Sequence, residues 1–316
     1  MNVVHALKEA PSAELASALR TFESEFRYPL GESEWFRISH GDDYTQFFRA
    51  IGDTRCFVAV RDGAVGGVIS IARCGLRIQG GDRIEAAYIA DLKLRQPPVG
   101  RTLLGLLREA VQWGRGGASK AGFSIVMDGT NRRPTSYTGR LGIPTYGELA
   151  RLTILRIPAL STAPESGVRD SPLDEVQRCF EELTDRGIAI LGGDPFLRSA
   201  WQPRGLLLSN GRACGVLEDT FRCKRLFDQD GNEMLSAHLS LFGYQSTEDA
   251  VSLLKFATNQ CHLRGLPAMF VAVPRADSDS IVRRLGSAND IVTAPATIFG
   301  TGLPDSLDWY VNTAEI

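Results

Sequence analysis

Stretches of helical and strand periodicity alternate along the first half of the chain. In some stretches apolar residues recur every three to four positions, whereas β-branched residues dominate others. Asp62-Gly63 separates two of the β-rich stretches and predicts a hairpin turn. The predicted order is helices at 11–26 and 42–52, strands at 54–60, 66–78 and 83–94, a helix at 101–114, a strand at 123–129, a short helix at 134–142 and a strand at 148–158.

A similar order returns after a stretch with the proline, serine and glycine content of a linker. Its elements are a helix at 171–187, a hairpin at 204–221, a strand at 233–243, a long helix at 247–265, a strand at 268–274, a short helix at 279–286 and a strand at 289–300. We therefore predict two related domains, 1–158 and 171–316, joined by a linker at 159–170. The predicted fold class is α+β, with a mixed β-sheet flanked by helices in each domain.

Composition narrows the classes of partner. The 316 residues are 43% hydrophobic and 23% charged, as is usual for a soluble globular protein, and the net charge is −2. Arginine residues are scattered and form no basic tract, so we expect no nucleic-acid partner. Because no run of 18 apolar residues and no secretory signal occurs, we expect no membrane span and a cytoplasmic protein.

The residues that usually carry metal or nucleophilic chemistry are dispersed. Six cysteines include no Cys-x-x-Cys pair, and four histidines include no His-x-x-x-His pair, so we expect no metal. The chain also lacks the Gly-x-Ser-x-Gly elbow of serine hydrolases and the phosphate loop of nucleotide hydrolases. These absences argue against a serine hydrolase and against a nucleotide hydrolase.

Residues 89–107, IADLKLRQPPVGRTLLGLL, form a strand, a loop and the start of a helix. A helix N-terminus offers unpaired N–H donors and the positive end of the helix dipole, which suits a diphosphate. This segment resembles the GNAT superfamily of acyltransferases, which places Arg/Gln-x-x-Gly-x-Gly/Ala here to hold the pyrophosphate of CoA. Arg95 and Gly100 match, whereas Pro98, which has no N–H, stands where a glycine is expected.

The resemblance covers most of residues 1–158 and recurs more faintly over 170–312. It implies acetyl-CoA as co-substrate, bound by Leu92, Lys93, Leu94, Arg95, Val99, Gly100, Arg101 and Thr102. In the second half the aligned region keeps only Gly243, and Glu248 and Asp249 open the helix that follows. Two acids beside a diphosphate would repel it, so we expect a degenerate second copy and one CoA site, in the first domain.

A second landmark is NRRPTSYTGRLGI, where Asn131 matches the family asparagine that contacts the pantetheine arm. Tyr137 lies one residue before the place of the family tyrosine that protonates the departing thiolate. It is either that acid or a tyrosine that only packs its ring. Glu85 and Asp91 are the candidate bases. They share a face in a regular strand, and a bulge between them would break that relation.

The function that this resemblance implies is transfer of an acyl group, expected to be acetyl, to a primary amine by an N-acyltransferase. No cysteine lies in the motifs, so direct transfer is favoured over an acyl-enzyme. The alternative is a non-catalytic pseudo-acyltransferase that binds CoA or a protein partner. The acceptor is expected to be a small-molecule or amino-terminal amine, approached by the aromatic loop at 27–40, which contains Tyr28, Trp35 and Phe36. The sequence leaves a homodimer open.

Overall fold

A computed structural model describes residues 3–30, 34–95, 102–116, 120–130, 133–139, 142–161, 167–286 and 290–316. Its strands are β1 (Val3–Leu7), β2 (Tyr28–Leu30), β3 (Glu34–Ser39), β4 (Asp53–Arg61), β5 (Ala64–Arg77), β6 (Arg83–Leu94), β7 (Gly122–Met127), β8 (Gly147–Pro158), β9 (Val168–Ser171), β10 (Ile188–Ile190), β11 (Arg204–Leu208), β12 (Ala213–Glu218), β13 (Arg225–Phe227), β14 (Ala237–Tyr244), β15 (Ala268–Pro274), β16 (Val292–Thr301) and β17 (Trp309–Tyr310). Its helices are α1 (Ala13–Glu23), α2 (Gln46–Arg49), α3 (Thr102–Gly114), α4 (Leu173–Leu183), α5 (Pro195–Arg198), α6 (Thr247–Leu263) and α7 (Arg275–Leu285). Within these ranges no helix is both long and apolar enough to cross a membrane.

One mixed sheet runs through the whole chain. Over the described ranges it contains fourteen strands, twelve of them in the order β1-β4-β5-β6-β7-β16-β8-β15-β14-β12-β11-β9. The other two are β10, which pairs with β5, and β17, which pairs with β10. A separate sheet of three strands has the order β13-β3-β2. The α+β class is confirmed, and the sheets predicted for the two halves are continuous.

The two halves exchange strands at the centre of this sheet. β16, from the second half, lies between β7 and β8 of the first half and is antiparallel to both. β8 in turn pairs with β15 of the second half over seven residue pairs, from Pro158↔Ala268 to Leu152↔Pro274. Backbone hydrogen bonds therefore join the halves directly. The domain boundary at 159–170 stays a prediction, and residues 162–166 lie outside the described ranges.

Helices cover both faces of the sheet because successive strand residues point to opposite sides. In the first half, Val58 belongs to the core that contains α1 and α2, whereas its neighbours Phe57 and Ala59 pack with α3. In the second half, Leu217 belongs to the core that contains α6, and Val216 packs with α4. β4 and β12 are thus buried on both faces, which accounts for the runs of apolar residues in them.

Two segments differ from the predictions. Residues 27–40 were predicted as a loop, but they form the hairpin of β2 and β3, which pairs with β13 of the second half. The helix predicted at 134–142 is a single 3₁₀ turn, Pro134–Ser136, in the part of this segment that the structure describes. Gly139 and Gly142 have φ of +77° and +80°, which a continuing right-handed helix does not allow.

A buried ion-pair network ties the halves together beside α2. Arg198, at the end of α5, donates to both oxygens of Glu218 at 2.6 and 2.9 Å and to Glu315 at 2.9 Å. Its Nη1 also lies 3.4 Å from the carbonyl oxygen of Ala50, in the first half. Three ionisable side chains in a dry environment are tolerated only while they neutralise and hydrogen-bond one another.

We expect Arg198→Met to lower the free energy of unfolding by about 3–5 kcal/mol, because two buried carboxylates lose their cation. Arg178→Met is the matched control, since Arg178 forms only an exposed pair with Asp174 and its loss should cost less than about 1 kcal/mol. Urea denaturation of the purified variants measures both changes. Equal losses in the two variants would show that the network does not stabilise the junction.

Candidate active site

Strands β6 and β7 are parallel neighbours that separate part-way along their length. Their pairing comprises Ala87↔Gly122 and Tyr88↔Phe123, and the rings of Tyr88 and Phe123 stack with centroids 4.8 Å apart. Beyond these pairs β6 continues to Leu94 and β7 to Met127. The resulting gap opens into a cavity of about 590 Å³. This cavity is the candidate binding site.

Both halves of the chain line the cavity. At one end lie the last residues of β6, Leu103 in the first turn of α3, and Tyr137. At the other end the second half contributes Lys224, His238 and Phe270, among others. The β2–β3 hairpin covers the space between these ends with side chains that alternate along each strand: Tyr28, Leu30, Phe36, Ile38 and the following His40. The strand exchange therefore creates a cavity that neither half could enclose alone.

A β-bulge in β6 determines which side chains face the cluster beneath the hairpin. The pairing with β5 passes from Ile71↔Ile89 to Ser70↔Asp91, so Ala90 is an extra residue. After the bulge, Asp91 lies on the face that Tyr88 occupies before it. Glu85 consequently lies on the opposite face, is exposed, and does not line the cavity. The shared face predicted for a regular strand is absent because the bulge is present.

Asp91 and Lys93 belong to a buried polar cluster with Glu23 of α1 and with His40 and Tyr44, which lie between β3 and α2. The Lys93 ammonium lies 2.9 Å from Asp91 Oδ2 and 3.4 Å from Glu23 Oε1. The Tyr44 hydroxyl donates to the same Asp91 oxygen at 2.8 Å. Glu23 Oε1 lies 2.5 Å from Nδ1 of His40, and Oε2 accepts the His40 backbone N–H at 3.1 Å. Glu23 thus fixes His40, whose ring lines the cavity.

The charges of this cluster are strongly coupled. Burial alone would raise the pKa of Glu23, but His40 and Lys93 outweigh it and lower that pKa to about 2. Burial would likewise lower the pKa of Lys93, whereas the neighbouring groups, Asp91 foremost, raise it well above its usual range. Glu23, His40 and Asp91 offer atoms within 4.8 Å of one another, close enough for metal ligands. The Lys93 ammonium contacts both of those carboxylates and supplies the cation there.

The structure brings most of the described candidate residues, both catalytic and CoA-binding, to the wall of the cavity. Asp91, Leu92, Lys93, Leu94, Arg95 and Tyr137 all line it. Thr102 is buried at the start of α3 and does not line it. Val99, Gly100, Arg101 and Asn131 lie outside the described residues.

The contacts of Arg95 and of Trp35, a residue of the aromatic loop predicted to approach the acceptor, bear on their expected roles. The Arg95 guanidinium forms a two-point ion pair with Glu25, one N–O distance being 2.9 Å. An anion at this end would therefore compete with Glu25 for Arg95. Trp35 lies on the outer face of the β2–β3 hairpin, where the Arg27 guanidinium covers its ring at 4.2 Å, and Trp35 does not line the cavity.

Sequence reasoning missed Glu23, His40 and Ser124. Glu23 and His40 lie 17 positions apart on separate elements, and no motif links them. Ser124 is the first residue of β7 beyond the last pair with β6; it is 5% exposed, and its hydroxyl has no hydrogen-bond partner among the described residues. A single hydroxyl in the otherwise apolar run FSIVM was the only signal in the sequence.

The second half contains an equivalent separation of strands, but the chain itself fills it. β14 and β15 pair at Ala237↔Met269 and His238↔Phe270 and then diverge. Residues 309–316 pack into that gap. The Asn312 side-chain oxygen accepts the N–H of Leu241 at 2.8 Å, and the Thr313 hydroxyl donates to the carbonyl of Phe270 at 3.2 Å. In the second half the polar edges of the gap are thus satisfied internally.

The sequence matches no known family and no curated protein, but the structure resembles solved acyltransferases. Saccharomyces cerevisiae N-myristoyltransferase with bound myristoyl-CoA aligns over 99% of this chain and 87% of its own, with a TM-score of 0.64 and 7% identity. A GCN5-related N-acetyltransferase from Anabaena variabilis aligns over 94% and 72%, with a TM-score of 0.54 and 14% identity. The chain has the tandem GNAT fold. At these identities the likeness establishes the fold and leaves the activity to be argued from the site.

We expect the loss of stability caused by Glu23→Gln to depend on pH, because the charge of Glu23 is coupled to its neighbours in the cluster. A carboxylate whose pKa falls from 4.5 to about 2 on folding stabilises the protein fully above pH 4.5, and this contribution is lost as the pH falls towards 2. The destabilisation caused by Glu23→Gln should therefore shrink in acid, by roughly 1–3 kcal/mol. Urea denaturation between pH 6 and about pH 3 measures it. Glu9→Gln, at an exposed position, is the control, and a pH-independent penalty for Glu23→Gln would contradict the coupling.

Proposed function

We propose that this protein is a CoA-dependent N-acyltransferase that transfers an acyl group, expected to be acetyl, to a primary amine. The observation that carries the proposal is the gap between β6 and β7, which opens into a cavity lined by Tyr137 at one end and by His40, which Glu23 holds, beneath the β2–β3 hairpin. The tandem GNAT fold supports it, because solved proteins of that fold include acyltransferases, one of them with an acyl-CoA bound.

The acyl-CoA would lie along the open edge of β6, with its pyrophosphate near the start of α3. Leu94 and Leu103 border this end of the cavity. The N-terminus of α3 provides N–H donors and a favourable dipole for the phosphates. The unpartnered hydroxyl of Ser124, across the gap on β7, is a suitable donor to a carbonyl of the pantetheine arm or of the thioester.

Direct transfer fits the residues present. A neutral amine attacks the thioester carbonyl, the C–S bond breaks, and CoA leaves as a thiolate that gains a proton to become the thiol. Tyr137 lines the cavity at the end assigned to CoA and is the candidate proton donor. None of the described residues that line the cavity is a cysteine, so no thiol there is placed to form an acyl-enzyme.

We expect one acyl-CoA per chain, because residues 309–316 occupy the second gap. Isothermal titration with acetyl-CoA and with myristoyl-CoA measures the stoichiometry and shows which acyl length binds more tightly. Gly100→Glu should weaken binding at least about tenfold by adding a side chain and a negative charge beside the phosphates. Gln112→Glu, which adds a charge at the far end of α3, is the control. A stoichiometry of two, or no binding of either CoA ester, would overturn this assignment.

We expect Tyr137→Phe to lower kcat about a hundredfold while the dissociation constant of acetyl-CoA stays within about twofold, because the hydroxyl acts on the leaving group. Tyr146→Phe is the matched control, since Tyr146 is buried nearby and does not line the cavity. Release of free CoA thiol in the presence of a panel of amines measures turnover. Tight acyl-CoA binding by the wild type without turnover of any amine would instead support the non-catalytic alternative.

A further inference from the structure

We infer that the acceptor binds as a primary ammonium ion against Asp91 and gives its proton to His40. This inference rests on the proposed function and concerns the same cavity. It assigns to Asp91 the binding of the substrate cation, and to His40, which no sequence motif marks, the role of the base.

The charge of the cluster is the first argument. Glu23 and Asp91 contribute two carboxylates, and Lys93 contributes one ammonium in contact with both. The side chains of Glu23 and Lys93 are at most 3% exposed, so water screens these charges little. Two carboxylates thus share one ammonium. A primary ammonium, the charged form of the acceptor that amine acylation requires, would supply a second cation to them.

Unused hydrogen-bonding atoms are the second argument. Tyr44 and Lys93 both donate to Oδ2 of Asp91, and Oδ1 receives no hydrogen bond from the described residues. Glu23 engages Nδ1 of His40, which leaves Nε2 without a partner in the described ranges. Asp91 and His40 both line the cavity, and one side-chain ligand atom of each lies within 4.8 Å of the other. The two side chains are therefore close neighbours on the cavity wall, and an ammonium ion has three N–H donors with which to contact both.

The contacts of Asp91 and His40 within the cluster suit one to bind the ammonium and the other to accept its proton. Asp91 is held in place by Tyr44 and Lys93, both of which donate to its Oδ2, and this orients its carboxyl group for an ammonium. Glu23 accepts from Nδ1–H of His40 and so leaves Nε2 as the proton acceptor, the tautomer that a general base requires. Glu23 is therefore a positioning residue, because it acts only through His40.

The proton count balances without a change in the charge of the site. The N–H bond of the ammonium breaks, and the proton bonds to Nε2 of His40, so one positive charge moves within the cluster. The neutral amine attacks the thioester carbonyl, the C–S bond breaks, and Tyr137 gives its proton to the departing thiolate. Tyr137 regains a proton from the nitrogen as the amide forms, and His40 releases its proton to solvent. Transfer inside a neutral cluster avoids creating an isolated charge in a poorly solvated cavity.

The other charged side chains on the described cavity wall are Arg27, Glu25, Arg95 and Lys224. The Arg27 guanidinium lies over the Trp35 ring and, as a cation, does not bind the ammonium. Arg95 and Glu25 neutralise each other at the end assigned to CoA. Lys224 lies in the second half, where its Nζ donates to the Ile316 carbonyl at 2.6 Å and lies over the ring of Phe47 at 4.5 Å. A cation there repels an ammonium and favours its binding at the Asp91 end.

The test compares two nucleophiles in the full chain with saturating acetyl-CoA at neutral pH. A primary alkylamine arrives as an ammonium and needs a base, whereas an O-alkylhydroxylamine of the same chain length arrives neutral and does not. For His40→Gln we expect kcat/KM for the alkylamine to fall at least about a hundredfold. For the O-alkylhydroxylamine we expect a fall below about tenfold. His5→Gln, an exposed histidine on β1, should change neither value.

Equal losses for both nucleophiles in His40→Gln, with acetyl-CoA binding retained, would overturn the role of His40 as the base. Asp91→Asn is the second variant and does not depend on how well His40→Gln folds. It should raise KM for the alkylamine at least tenfold and leave KM for the O-alkylhydroxylamine within about threefold. An equal change in KM for the two nucleophiles on Asp91→Asn would overturn the ammonium site. In either case, turnover of the O-alkylhydroxylamine by the wild type shows that the proposed acyl transfer itself stands.

Discussion

The backbone pairing of β16 with β7 and β8 is the constraint on which the site depends. These hydrogen bonds, with those between β8 and β15, hold the two halves in one sheet and fix Met127, Ile154, Ala294 and Phe270 around a common cavity. The gap between β6 and β7 is formed by two strands of the first half. Its closure by a wall from the second half follows only from the exchange of strands.

Neighbouring parallel strands separate at two places, between β6 and β7 and between β14 and β15. The two halves of the molecule differ in what occupies the resulting gap. Between β6 and β7 the described residues leave an open cavity, whereas between β14 and β15 residues 309–316 supply the missing hydrogen-bond partners. An unpaired strand edge costs free energy unless water, protein or ligand satisfies it. The same backbone geometry therefore gives a candidate binding site in one half and an internal packing surface in the other.

The parts of the site that follow local rules were accessible from the sequence. Asp62 and Gly63 have φ of +51° and +78°, as the predicted hairpin turn requires, and the strand ending at Leu94 followed by the helix from Thr102 lies where the periodicity placed it. The Glu23–His40 contact was inaccessible because it depends on tertiary packing between α1 and the segment before α2. The bulge at Ala90 was likewise invisible, because one extra residue leaves no mark on composition yet moves Asp91 to the opposite face.

The strand exchange has a consequence for synthesis on the ribosome. β7 and β8 are complete after about half of the chain has been made, but the strand that lies between them spans Val292–Thr301. Until then two long apolar strands present unsatisfied edges, a template for pairing with other chains. The closed cavity therefore forms only after β16 has been made and has paired between β7 and β8.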